Sequence, residues 1–242
     1  MRIERIALSL LVLSGCLGTE IGNPQEGEVV LRVTSPDDDM SRVGALRMAG
    51  LEIDSVAMSL VDVRFKGEFE EAGDPNANGV AELVRGGERA VFDIGLDVPG
   101  GEYREVHMKA SGFSGAAGES PQMEGLSLRM AGRRADGVPF VLEDDRTLNI
   151  KVTGDVEPLR VGAGGPDVLF LVVDVASWFE EGELDVLEPG EDGWVRIGRG
   201  QNLQVGNRVR QRVRSSMRFG QDRDDDGRPS AVELGGFSVE VR

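Results

Sequence analysis

The sequence predicts a mainly β protein, an antiparallel β-sandwich with a C-terminal helix and an acidic loop. Two observations in its 242 residues carry that prediction. Short valine-rich runs alternate apolar and polar positions, and glycine is plentiful (34 residues) between them. These runs recur roughly ten to twenty residues apart with no helical pattern between, which favours a sandwich over alternating strands and helices. Apolar residues make up 40% of the chain, enough for a core, and such runs are missing from disordered chains.

The chain opens on a short charged start (Arg2, Glu4, Arg5) and an apolar run from Ile6 to Leu13. Eight helical residues rise only about 12 Å, far short of a bilayer span, so residues 1–15 read as a signal peptide. Leu13-Ser14-Gly15-Cys16 resembles the lipobox of bacterial lipoproteins, which implies cleavage before Cys16 and acylation, palmitate included, of its thiol. One fatty chain binds a membrane marginally, and two or three anchor it. Leu17 follows the cysteine in place of the aspartate that retains enterobacterial lipoproteins in the inner membrane; by that resemblance the outer membrane is favoured. Cys16 is the only cysteine, so the fold cannot depend on an internal disulfide.

Residues 16–27 then read as a flexible tether. A sandwich domain is expected over 28–176. Its first strand is Glu28–Thr34, stopped by Ser35-Pro36-Asp37. Leu51–Phe65 holds one or two strands, with Ile53, Val56, Met58 and Leu60 apolar, then Val61, Val63 and Phe65. A Gly/Asn/Glu-rich loop is expected over about 67–87. Ala90–Leu96 is a strand and Val98-Pro99-Gly100-Gly101 a turn, since proline fixes φ and glycine supplies φ > 0. Tyr103–Phe113, Leu126–Met130, Val138–Leu142 and Leu148–Val152 are further strands. Val168–Val175, almost continuously apolar, suits a central strand covered on both faces.

After Ser177 the pattern changes. Residues 177–200 read as a connecting segment with a short helical turn at Trp178-Phe179. Over 201–242 a helix, a calcium-type loop and a terminal strand are expected; Val205, Val209, Val213 and Met217 recur every fourth residue over Asn202–Phe219.

The order of Ile53–Phe65, Phe92–Tyr103 with its Val-Pro-Gly-Gly-Glu-Tyr turn, a strand ending at Phe113, and Leu169–Asp174 resembles the DUF4382-type bacterial lipoprotein domain. The resemblance spans roughly 27–176. It implies an Ig-like or transthyretin-like sandwich and an envelope location, and it confers no site.

Chemistry concentrates at the C-terminus. Asp222-Arg-Asp224-Asp-Asp226-Gly227-x₅-Glu233 matches the calcium-loop pattern at every specified position. Carboxylates at loop positions 1, 3 and 5 converge on one ion, and glycine at 6 permits the sharp turn. The Arg228 carbonyl faces the ion at 7, Ser230 or a water serves 9, and Glu233 closes the site at 12. Calcium is preferred because magnesium demands tighter octahedral geometry. Pro229 and the Leu234-Gly235-Gly236 exit depart from a paired EF-hand, so the segment resembles a single half-hand of about 10⁻⁵–10⁻³ M affinity. The alternative is an acidic solvated turn.

Other constellations are weaker. Arg208, Arg210, Arg212, Arg214 and Arg218 suit a helix face paired with the protein's own carboxylates better than a site for lipid headgroups. His107, the only histidine, lacks the company a zinc site or catalytic triad requires. Val161–Gly165 is a loop, with no helix after it to cradle phosphate. The carboxylate pairs Asp144-Asp145 and Glu180-Glu181 suit glycoside hydrolysis only at a separation the sequence does not reveal. A formal charge of −16, or −17 once Arg2, Arg5 and Glu4 leave with the signal peptide, disfavours nucleic acid. The expected protein is non-enzymatic, lipid-anchored through Cys16 in the cell envelope, structural or adhesive, and stabilised by calcium. The alternative is a module presenting the 67–87 and 114–123 loops to a glycan or peptide; 5% aromatic residues count against sugar stacking.

Overall fold

The computed structural model describes residues 26–36, 46–48, 50–67, 71–112, 120–154, 157–162 and 166–242. The signal segment, Cys16, the tether up to residue 25 and loop residues 113–119 lie outside them. The chain is mainly β, as the alternating runs predict.

Two sheets share one core. The smaller has four strands in the order β15 (Met217–Gln221), β13 (Asp167–Val173), β1 (Glu26–Thr34), β6 (Phe92–Pro99). The larger runs β14 (Val195–Gly198), β10 (Pro139–Asp144), β9 (Leu128–Arg133), β3 (Leu51–Lys66), β8 (Glu105–Ala110), β11 (Leu148–Gly154), β16 (Phe237–Val241). β2 (Leu46–Met48) and β4 (Glu71–Arg85) also pair with β3, and β5 (Glu88–Arg89) pairs with β4. A small ribbon joins β7 (Gly101–Tyr103) to β12 (Leu159–Val161). Two α-helices, α1 (Leu203–Ser215) and α2 (Ala231–Leu234), and two 3₁₀ turns, Pro121–Met123 and Val175–Ser177, complete the described elements.

Three sequence expectations change. Residues 67–87 are not a loop: 71–85 form β4 against β3. Ala81, Leu83 and Val84 are buried there, so tertiary pairing overrides the poor strand propensity of the Gly/Asn-rich half. The sandwich is not purely antiparallel, because β1 runs parallel to β13 and β10 parallel to β14. The 202–219 stripe also divides: α1 stops at Ser215 and Met217–Gln221 continues as β15, with Met217 and Phe219 buried.

β3 positions much of the molecule. Its first half pairs with β9 and its second with β8, with a register shift around Asp62. Where β3 passes from one partner to the other, buried Ser59 donates its hydroxyl to the Ser111 carbonyl and its N–H to the Ser127 carbonyl. The splayed ladder therefore leaves no orphan at Ser59. β13 is central as expected, with Leu169 to Val173 all buried. At the Val98–Gly101 turn, Tyr103 donates its hydroxyl to the Pro99 carbonyl at 2.6 Å. Aromatic edges bridge layers: Phe219 of β15 meets Phe237 of β16 at 5.4 Å between centroids.

Candidate metal centre

The acidic loop is the connector that carries the chain from the edge of the smaller sheet to the edge of the larger one. β15 delivers Asp222, whose N–H donates to the Val168 carbonyl of β13 at 2.9 Å. Residues 222–230 wrap, α2 makes one turn, and β16 enters the larger sheet beside β11. Gly220 allows the tight fit of α2 on β15: a Cβ there would stand 2.9 Å from the Glu233 carbonyl oxygen. Within the loop, Asp225 (φ 57°) and Gly227 (φ 73°) adopt left-handed backbone; asparagine, aspartate and glycine tolerate it best.

One carboxylate oxygen from each of Asp222, Asp224 and Asp226 lies within 4.8 Å of the other two. Asp222 is buried, at 8% exposure, while Asp224 and Asp226 face solvent. Its Oδ2 accepts the Gly227 N–H at 2.8 Å. Its Oδ1 is buried and has no hydrogen-bond partner. Asp224 Oδ1 accepts the Asp226 N–H at 3.3 Å, and Asp226 Oδ1 accepts the Arg228 N–H at 2.7 Å. The hydrogen bond from Asp226 pulls the Asp224 carboxyl down, but burial and repulsion from Asp226, Glu233 and Asp222 outweigh it, and its pKa is raised.

The chain matches no protein-family model, no curated protein and no solved structure.

Glu233 and Ser230 do a different job from the one their spacing suggests. Glu233 stands outside the three-aspartate cluster. Its Oε1 accepts the Arg223 N–H and its Oε2 the Ser230 N–H, each at 2.8 Å. Ser230 Oγ in turn accepts the Glu233 N–H at 3.3 Å, so the pair forms a capping box on α2. Burial works to raise the Glu233 pKa, but these N–H donors, the Ser230 hydroxyl and the Arg223 charge leave it lowered. The pattern at positions 9 and 12 is legible as a metal loop and as a helix start, and here it folds as the helix start.

Arg32 of β1 is the residue the sequence does not announce. Its Nη1 donates to the Gly227 carbonyl at 3.1 Å, while Nε and Nη2 both reach Asp93 at 2.8 Å. The alternation of β1 predicts only that Arg32 faces outward; its partner lies 195 residues away.

Three of the five arginines, Arg208, Arg210 and Arg212, are internally paired, while the buried Arg214 Nε has no hydrogen-bond partner among the described residues. Arg210 of α1 holds Asp144 at 2.6 Å and the Arg146 and Thr147 carbonyls, while Arg208 and Arg212 meet Glu183. Arg212 also reaches Glu180 at 2.6 Å. Asp144 and Glu180 are thus held by ion pairs with α1. His107 Nε2 lies 2.8 Å from Glu105 Oε2. No helix among the described residues is long and apolar enough to cross a membrane.

Proposed function

We propose that this protein is a non-enzymatic, lipid-anchored envelope component, structural or adhesive, of the DUF4382-like sandwich type, whose C-terminal loop binds calcium. The anchor rests on Leu13–Cys16, and the calcium reading on one observation above all. Asp222 Oδ1 is a buried carboxylate oxygen without a partner in the midst of converging carboxylates. A buried unpaired acceptor costs about 1–3 kcal/mol, more when charged, and a hard cation with oxygen ligands removes that cost. The donor set, three aspartates with backbone carbonyl and water to complete the shell, is oxygen-only and suits calcium.

Calcium there would offset two of the three negative charges of Asp222, Asp224 and Asp226 and stiffen the connector between the two sheet edges. The test is a titration of soluble 17–242 with calcium and with magnesium, by calorimetry and thermal melting, beside an Asp222→Asn/Asp224→Asn variant, which leaves the Glu233 cap intact. Saturable calcium binding, lost in the variant, is expected, with stabilisation of about 2.7 kcal/mol at one hundred times Kd. Heat-silent mixing and an unchanged melting temperature would reduce the loop to an acidic turn.

A further inference from the structure

The outer face of the larger sheet holds a cavity of about 530 Å³, spread across β3, β8, β11 and β16. Register builds it. Arg64 lies opposite His107, His107 opposite Lys151, and Lys151 opposite Glu240. In the neighbouring row Lys109 lies opposite Asn149, which exchanges two backbone hydrogen bonds of 2.9 Å with Arg242. Outward side chains at alternate positions of four strands therefore converge on one groove.

The bulge in β3 supplies the anchor. Between Val61 and Arg64 the strand gains one residue on β8, and Asp62 takes φ 57°, uncommon for a residue other than glycine. Buried positions switch there from Val56, Met58 and Leu60 to Val63 and Phe65. Asp62 is turned onto the groove face, where its side chain is 14% exposed and binds Lys109 Nζ and Arg64 Nε, each at 2.5 Å. Glu105 does the same for Lys151 Nζ at 2.6 Å. Backbone strain beside a cavity is a mark of functional sites.

The charge of this groove opposes that of the chain. Arg64, Lys66, Lys109, Lys151 and Arg242 line it against Asp62 and Glu240. With Glu105 counted as a third acid the formal excess is two positive charges, in a protein of net charge −16. Lys66 has no side-chain partner among the described residues. No Phe, Tyr or Trp lines the groove, so a neutral sugar lacks the broad apolar ring face it stacks on.

We propose that this groove binds a phosphomonoester. A phosphomonoester carries about two negative charges at neutral pH and three acceptor oxygens, matching the excess of two positive charges and the guanidinium and ammonium donors. A singly charged carboxylate leaves one of those charges unbalanced. The volume falls in the range of small-ligand sites and accommodates a phosphate with a sugar-sized body. Asp62 and Glu105 hold three of the basic side chains in place, which lowers the ordering cost on binding. The phosphate can belong to a soluble sugar phosphate or to a lipid headgroup.

The test uses glucose 6-phosphate against glucose, by calorimetry, and phosphatidylcholine vesicles with and without phosphatidic acid, by co-sedimentation, on soluble 17–242. Saturable binding of a probe that bears a phosphomonoester, and none of its counterpart that lacks one (glucose, or phosphatidylcholine with its phosphodiester alone), is expected; which probe binds identifies the source. A Lys66→Gln/Lys151→Gln variant should weaken it by about tenfold or more. Lys66→Glu, which breaks no described contact, should do so without altering the melting temperature or the calcium response. No binding of either phosphomonoester probe, or binding equal in the variants, overturns the proposal. The loop at 222–233 takes no part, so the calcium reading stands or falls separately.

Discussion

Asp222 presents two oxygens with opposite fates: one holds the Gly227 N–H, and the other is buried with nothing to accept from. Asp222→Asn separates the two. The amide oxygen can keep the Gly227 hydrogen bond, and the amide replaces the orphaned carboxylate oxygen with a group that does not repel Asp224 and Asp226. Without divalent cation the variant should match or exceed the parent's stability, by up to about 1 kcal/mol. With saturating calcium the order should reverse, because the parent gains binding energy and the variant has lost a charged ligand. Melting curves in chelator and in calcium check both halves; a variant less stable in both would make Asp222 a purely structural acceptor. Asp224 adds a pH signature of the same sign. Its folded pKa is raised, so its ionisation costs stability at neutral pH, and stability is regained as pH falls through that pKa, fully so below the ordinary carboxylate value.

At the scale of elements, α1 is held to the sandwich by charge as much as by its buried Val205, Val209 and Val213. Arg210 and Asp144 form a nearly buried pair, with side chains 11% and 9% exposed. Burial works to raise the Asp144 pKa, but hydrogen bonds from Arg146 and Arg210 leave it lowered. Its stabilising contribution is therefore complete at neutral pH and lost as pH falls through the folded value, below the ordinary carboxylate range. Arg210→Ala should cost about 3 kcal/mol, at the low end for a broken buried pair because Arg146 still holds Asp144. It should also flatten the acid limb of a melting-temperature profile; an unchanged profile would show that Arg146 alone sets the Asp144 ionisation. The sequence made the valine stripe legible, and it made inward-paired arginines the better reading. It did not name the partners, since Asp144 and Glu183 reach α1 only through the fold. Strand β4 was hidden for a related reason: its Asn- and Gly-rich half carries no pattern of its own and takes its register from β3. The bulge at Asp62 did leave a trace, a change of apolar phase between Leu60 and Val63. The aspartate cluster was legible because its members lie within one short loop, whereas Arg32 was not.

For the molecule as a whole, the consequential feature is where the last residues go. The sequence places the sandwich in residues 28–176 and treats the C-terminus as an addition. Yet β15 pairs with β13 from Leu169 to Val173, and β16 pairs with β11 from Ile150 to Gly154. Each completes a different sheet, and Phe219 and Phe237 meet in the core. A chain ending at residue 176 would therefore expose one edge of β13 and one of β11, both hydrogen-bonded in the full protein, and open the core beneath Phe219. Burying one large aromatic side chain is worth about 3–5 kcal/mol by truncation data, comparable to half the stability of an ordinary domain. Fragment 28–176 should accordingly lack a cooperative melting transition and aggregate, while 28–242 melts as one unit. Adding 177–242 as a separate polypeptide should restore a single transition, and calcium should tighten that complementation if the loop between β15 and β16 holds the ion. A fragment 28–176 that melts cooperatively alone would instead make the C-terminal strands an accessory to a complete domain, and the connector loop would then have no bearing on the stability of the sandwich.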